Sequence, residues 1–311
     1  MNRTADQETG TLNRRAALAS VGVATLLLGL KGYAALVSGS VAMLASLADT
    51  GLDLVASVVT LYGVHVAAQR ADEHHRFGHG KAESLAALFQ VALIAASAVA
   101  IAARAVMALL HATPTASPEA GIVASIVAAA ATLALLAYQR AVIARTRSVA
   151  IGADHLHYKS DLALNGAVVL ALALDRYAGL TGVDALFGLL IALWLGWGAW
   201  TSATHAIDQL MDREWPEEKR RAFLDLAATI PAMAGMHDLR TRTSGAHDFA
   251  QFHMSFPAET TIGVAHMVME DIETRLTAAF PGLEVLIHPD PVGHVDQEGA
   301  LPKAIAERSE I

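Results

Sequence analysis

The chain has 311 residues, 54% of them hydrophobic and 17% charged, with a formal net charge of −8. Soluble domains are usually about a quarter charged, and several runs here are long enough to cross a bilayer, which takes roughly 20 apolar residues as a helix. The absence of cysteine excludes disulfides and thiolate metal or redox sites, and no basic face points to nucleic acid.

Residues 1–12 are polar, and Asn13-Arg14-Arg15 leads straight into an apolar run too long for a signal peptide's core. Six apolar spans follow, near residues 16–37, 41–68, 82–110, 121–143, 148–177 and 183–210. Lipid cannot satisfy open backbone groups, so spanning segments must be helices or a closed barrel. The Ala/Leu/Val content and the lengths favour helices. Basic residues gather before span one (Arg14, Arg15) and after spans two (Arg70, Arg76, Lys81), four (Arg140, Arg145, Arg147) and six (Arg213, Lys219, Arg220, Arg221). The positive-inside rule therefore predicts that both termini are cytoplasmic.

After Asp212 the composition becomes that of a small soluble domain. An amphipathic helix is expected over 216–230, strands over 236–243 and 249–256, a helix over 262–280 and a last short strand over 284–288. The expected organisation is a cytoplasmic N-terminal segment (1–14), a six-helix transmembrane domain (15–212), a C-terminal cytoplasmic α+β domain of order α-β-β-α-β (213–292) and a tail without periodicity (293–311).

Span two carries Asp49 and Asp53, and span five carries His157 and Asp161. Each pair is spaced i, i+4, which puts both side chains on one helix face, one turn apart. A carboxylate inside a bilayer costs about 2.5–3.5 kcal/mol on insertion scales, so three acids and a histidine need a common partner. Two facing pairs supply four ligands, which suits tetrahedral Zn²⁺. Metal ligands must be deprotonated, and free histidine titrates near pH 6.5, so the site is expected to exchange metal for protons. His155 lies one residue off the ligand face and reads as a helix-interface residue. In the loop after span two, Asp72, His75 and His79 could wrap one metal. The soluble domain holds His237, His253, His266, His288 and Asp290, and His288 and Asp290 face one side if the strand persists.

Several motifs in order then resemble the cation diffusion facilitators, with the match nearest the bacterial ferrous-iron and zinc efflux branch. They are six spans, DxxxD at Asp49 and Asp53, HxxxD at His157 and Asp161, the phrase Phe77-Gly78-His79-Gly80-Lys81, and the α-β-β-α-β domain, covering roughly residues 15–292. The resemblance implies a homodimer in the cell inner membrane that exports Zn²⁺, and also Cd²⁺, against H⁺ by alternating access. It implies a metallochaperone-like C-terminal domain with Zn²⁺ bound as a regulatory ion. It assigns Asp49, Asp53, His157 and Asp161 to the transport site and Asp72, His75 and His79 to a loop site. His237, His253, His266, His288 and Asp290 go to a binuclear cytoplasmic site, with Asp290 and a histidine bridging two ions. Lys81 and Asp212 match a salt bridge that locks the dimer, and Leu156 matches a hydrophobic gate. Pro289, between His288 and Asp290, removes a backbone donor at that site.

Three carboxylates and one histidine leave Fe²⁺ or Mn²⁺ open as the cargo. A membrane metal sensor without transport is the competing class. A metalloenzyme is disfavoured, because four ligands close the shell and no HExxH motif occurs.

Overall fold

A computed structural model describes residues 3–38, 41–111, 122–178, 183–245 and 247–293; some side chains inside the helices, Asp49 among them, lie outside the described set. Six long helices come first: α1 (Arg3–Ser38), α2 (Val41–Ala67), α3 (Ala82–His111), α4 (Ile122–Thr146), α5 (Val149–Ala178) and α6 (Val183–Leu210). Then follow α7 (Glu217–Ala228), a 3-10 turn (Pro231–Met233), β1 (Met236–Ser244), β2 (His247–Phe256), α8 (Ile262–Ala279) and β3 (Leu283–Pro291). The α-β-β-α-β order expected after residue 212 is the order found. Residues Glu8–Leu210 form one compact unit, and the chain from Met211 belongs to another.

Among the described residues, five stretches are long and apolar enough to cross a membrane: Glu8–Tyr33, Thr50–Ala67, Ala82–Met107, Val127–Thr146 and Ala185–Leu210. The other long helix, α5, carries Asp154, His155, His157, Lys159 and Asp161 within three turns. The distribution of side chains is that of a protein dissolved in lipid. Ser20, Ser57, Thr60, Gln90, Gln139 and Asp154 are fully buried, whereas Leu193, Trp197 and Trp200 on α6 are 65–72% exposed. In hydrocarbon, polar groups must find partners inside the bundle and apolar ones can face out.

The first helix starts at Arg3, thirteen residues before the apolar span predicted at residue 16. Polarity ends a membrane span but not a helix, and the stretch before Arg14 contains no proline. Gly10 brings α1 close to the end of α2, where a Cβ would sit 3.1 Å from Ala68 Cβ. Helices α2 and α3 meet more closely still. A Cβ on Gly63 would lie 2.4 Å from Ala86 Cβ, so only glycine permits that crossing.

In the second unit the sheet order is β1-β2-β3, with β1/β2 antiparallel and β2/β3 parallel. Alternation sends Ala250, Phe252 and Met254 of β2 into a core with Phe223 of α7 and Ile272 and Leu276 of α8. Trp215 closes this core, stacking on Phe280 and donating its indole N–H to the Arg242 carbonyl (3.1 Å). The residues of β2 between those core positions, His253 among them, face the other side of the sheet. Strand β3 runs to Pro291 rather than stopping near residue 288. Proline at 289 is tolerated because β3 is an edge of the described sheet.

Candidate metal sites

In the membrane unit, α2 and α5 bring three of the predicted residues together. His157 Nε2 lies 3.0 Å from Asp53 Oδ1 and 3.7 Å from Asp161 Oδ2. One donor atom from each of the three falls within 4.8 Å of the others. His157 is buried. Asp49 is on α2, one turn before Asp53, but its side chain lies outside the described residues. His155 turns away, with Nδ1 3.3 Å from Gln139 Oε1 on α4, where its one-residue offset predicts. Leu156 turns a third way and packs on Val91, Ile94, Leu195 and Ala199 between α3 and α6.

Beyond these three residues lies a set of buried polar groups that spacing did not single out. Ser57 Oγ and Tyr158 Oη are 2.8 Å apart, and Tyr158 also donates to the Ser20 carbonyl (3.2 Å). Asp154 is held by Ser20, Gln90 and Gln139. Its signal was present in the sequence: Asp154, His157 and Asp161 fall at i, i+3 and i+7, one continuous stripe.

The loop between α2 and α3 folds around Asp72. Its Oδ1 accepts the backbone N–H of His74 (2.9 Å) and of His75 (2.7 Å). The rings of His75 and His79 stand 4.4 Å apart, with nitrogens 3.4 and 3.5 Å from the Asp72 carboxylate. The glycine at 78 adopts φ 79°, a conformation that reverses the chain between the two histidines at little cost. The backbone N–H of His75 holds the Asp72 carboxyl below its ordinary 3.8, helped by His74 and by the charges of the two histidines, against a smaller opposing effect of desolvation. Lys81 donates to the Leu210 carbonyl at 3.1 Å, and Asp212 pairs with Arg242 at 3.4 Å.

The sheet register assembles the third group. His237 pairs with His253 across β1/β2, and His253 with His288 across β2/β3, so three histidines share one rung. Asp290, nearly buried, is their hub. Its Oδ2 lies 2.8 Å from His253 Nδ1 and 3.4 Å from His237 Nε2, and its Oδ1 lies 3.3 Å from His288 Nε2. A bulge between His237 and Arg240 leaves Asp238 at φ 49° and brings its carboxylate 3.8 Å from His253 Nε2. Sequence reasoning missed Asp238, because a bulge leaves no periodic signal. His266 sits exposed at the start of α8 and is not one of the donors grouped around Asp290.

Buried donors on apolar helices, together with a soluble α+β unit carrying its own donor cluster, define a polytopic membrane protein of the cation-transporter class. Residues 17–211 match the cation efflux transmembrane domain, and residues 215–292 match the cation efflux protein cytoplasmic domain. The chain belongs to the cation efflux family. It is 44% identical over 282 residues to the cation-efflux pump FieF of Cronobacter sakazakii, covering 91% of this chain and 94% of that protein. It is 42% identical over 294 residues to FieF of Escherichia fergusonii, covering 94% and 98%. A solved chain of CzrB, a candidate zinc transporter, in its zinc form is 35% identical and covers 28% of this chain and 99% of that one, with a TM-score of 0.24.

Proposed function

We propose that the chain exports a divalent metal, Zn²⁺ foremost and Cd²⁺ with it, in exchange for protons. It does so by alternating access, as a homodimer in the cytoplasmic membrane with both termini inside. The observation that supports this most is the Asp53–His157–Asp161 cluster, three residues from two helices of the membrane unit whose donor atoms lie within 4.8 Å of one another. Asp49 supplies the fourth ligand from one turn away on α2. One imidazole and three carboxylates suit Zn²⁺, and their oxygen content leaves Fe²⁺ and Mn²⁺ as secondary cargo.

The proton coupling has a geometric basis. A 3.0 Å contact between an imidazole nitrogen and a carboxylate oxygen is a hydrogen bond. Whichever partner carries it, one proton lies between Nε2 and Oδ1. A metal bound by both atoms must displace that proton, and a returning proton must compete with the metal. Metal enters from the cytoplasm and is released outside as protons enter. Leu156, next to His157 in the chain and packed on the α3/α6 cluster, is the gate residue of this reading, through movement of those helices rather than by direct contact with the donors.

The Asp72–His75–His79 loop and the His237–His253–His288–Asp290 rung bind the same metal as regulatory ions, with His266 completing a binuclear cytoplasmic site. Asp290, with one oxygen facing two histidines and the other facing a third, is placed to bridge two ions. Lys81 and Asp212 tie the protomers together near the membrane surface. Ions there alter transport through differential affinity for its conformations.

Purified protein in liposomes with an imposed pH gradient tests this. Zn²⁺ flux should exceed that of Mn²⁺ and Fe²⁺, and Asp53→Ala should reduce it to background. A chain that binds Zn²⁺ in its soluble unit but moves no metal under any gradient would be a sensor instead.

A further inference from the structure

Asp154 is fully buried on α5, one turn before His157, and the exchange described above does not use it. Its Oδ2 accepts from Ser20 Oγ of α1 (2.6 Å) and from Gln139 Nε2 of α4 (2.7 Å). Its Oδ1 accepts from Gln90 Nε2 of α3 (2.8 Å), which also donates to Thr60 Oγ1 of α2 (3.2 Å). One carboxyl thus joins α5 to three helices directly and to a fourth through Gln90. The side chains that α1, α3 and α4 present to it are all neutral.

The ionisable groups around this cage are few. His157 and Tyr158 on α5 interact with Asp154 electrostatically. Asp53 on α2 contacts His157 at 3.0 Å. Glu83, about two turns before Gln90 on α3, is held by Asn13 and Ser148. Arg140 on α4 and Lys159 on α5 act on His155.

The cage can hold the carboxyl in either protonation state. Ser20 Oγ has two acceptors in reach, Asp154 Oδ2 at 2.6 Å and the Ala16 carbonyl at 3.2 Å. When Asp154 is ionised, the hydroxyl donates to Oδ2. When a proton sits on Oδ2, Asp154 donates to Ser20 Oγ and the hydroxyl turns to Ala16. Gln90 and Gln139 keep their acceptors in both cases, so no hydrogen bond is lost.

We propose that Asp154 is a proton-binding residue of the transport cycle, which takes up a proton when metal leaves Asp53, His157 and Asp161 and releases it when metal binds there. The proton comes from water and returns to water, with carboxylate and carboxylic acid as its two states. A divalent ion one helical turn away attracts the carboxylate charge, and once the ion has gone the uncharged acid is the cheaper occupant of a low-dielectric interior. This rests on the metal-for-proton exchange proposed above and adds a carrier that is not a ligand.

The test uses the full-length protein in lipid nanodiscs, titrated with Zn²⁺ in weakly buffered solution over a range of pH. Asp154→Asn should still bind Zn²⁺ but release about one proton fewer per ion at the membrane site, with a shallower pH dependence of binding. Infrared difference spectra of the parent should show a carboxylic-acid band lost on Zn²⁺ addition, and the variant should lack it. Ser20→Ala, which removes the turning hydroxyl, covers the case in which Asp154→Asn fails to assemble; its pH dependence must differ from the parent's. Proton release by the parent that either variant reproduces unchanged overturns the assignment of Asp154 alone. A parent that releases no proton at all overturns the exchange and this assignment together.

Discussion

Asp53 Oδ1 on α2 and His157 Nε2 on α5 lie 3.0 Å apart, although 104 residues separate them in the chain. The same imidazole nitrogen is 3.7 Å from Asp161 Oδ2. A single nitrogen therefore faces two carboxylates from two helices, inside a bundle whose outward surface is apolar. Neighbouring residues on α5 point elsewhere: His155 to α4, and Leu156 to α3 and α6.

Removing that nitrogen should be severe. His157→Ala leaves carboxylates facing one another without the ligand between them. Outer-shell changes alone typically cost 10–100-fold in metal affinity, so loss of a ligand is expected to exceed about 100-fold at the membrane site. Isothermal titration of the parent and variant in detergent measures this, with the soluble-domain sites as an internal reference.

His157→Asp should change which metal is preferred rather than abolish binding. An all-oxygen ligand set suits harder ions. The ratio of Mn²⁺ to Zn²⁺ flux in liposomes should rise, and an unchanged ranking would show that the histidine is not the selectivity element.

In the soluble unit, Asp290 should matter more than any single histidine, because it contacts His237, His253 and His288. Asp290→Ala should lower Zn²⁺ affinity there by at least about tenfold, or 1.4 kcal/mol. Ile287, Phe252 and the rest of the core lie on the other side of the sheet, so the fold should persist, as circular dichroism can show.

For the loop, the lowered pKa of Asp72 sets the sign of an acid effect. A carboxyl depressed below 3.8 in the folded loop gives order that is fully present above that value and lost as pH falls through the lower, folded one. Protection of the His74 and His75 amides, taken relative to the intrinsic exchange rate at each pH, should therefore hold down to roughly pH 4 and be lost only below it. In Asp72→Asn it should be lost already at neutral pH.

Most of the fold was legible in the sequence because its cause is local. Apolar length set five of the long helices, helical spacing of polar residues marked α5, and alternation set β1 and β2. The shared face of His157 and Asp161 was legible too, since i, i+4 spacing fixes a helix face; that Asp53 meets it depends on how α2 packs on α5. The start of α1 was not, because a hydropathy pattern reports where lipid begins and not where a helix does. Nor was the histidine rung. Putting His237, His253 and His288 side by side depends on strand register, and the bulge at Asp238 is part of what sets it. The cage around Asp154 draws on four helices, and only its stripe on α5 was visible beforehand.

The Gly63–Ala86 crossing offers a test of packing independent of metal. Gly63→Val should destabilise the protein by about 1–3 kcal/mol, as overpacking usually does, because the new side chain meets Ala86 Cβ at 2.4 Å and the Ala82 carbonyl at 3.2 Å. Ala86→Gly in the same chain should recover part of the loss in thermal unfolding.

The central claim, exchange of metal for protons at Asp53, His157 and Asp161, is tested most directly by recording Zn²⁺ and H⁺ movement together in liposomes holding the purified protein. Opposed fluxes of fixed ratio, each abolished by Asp53→Ala, are the predicted result. Zn²⁺ movement that proceeds at the same rate with no proton counterflow, whatever the pH gradient, would contradict it.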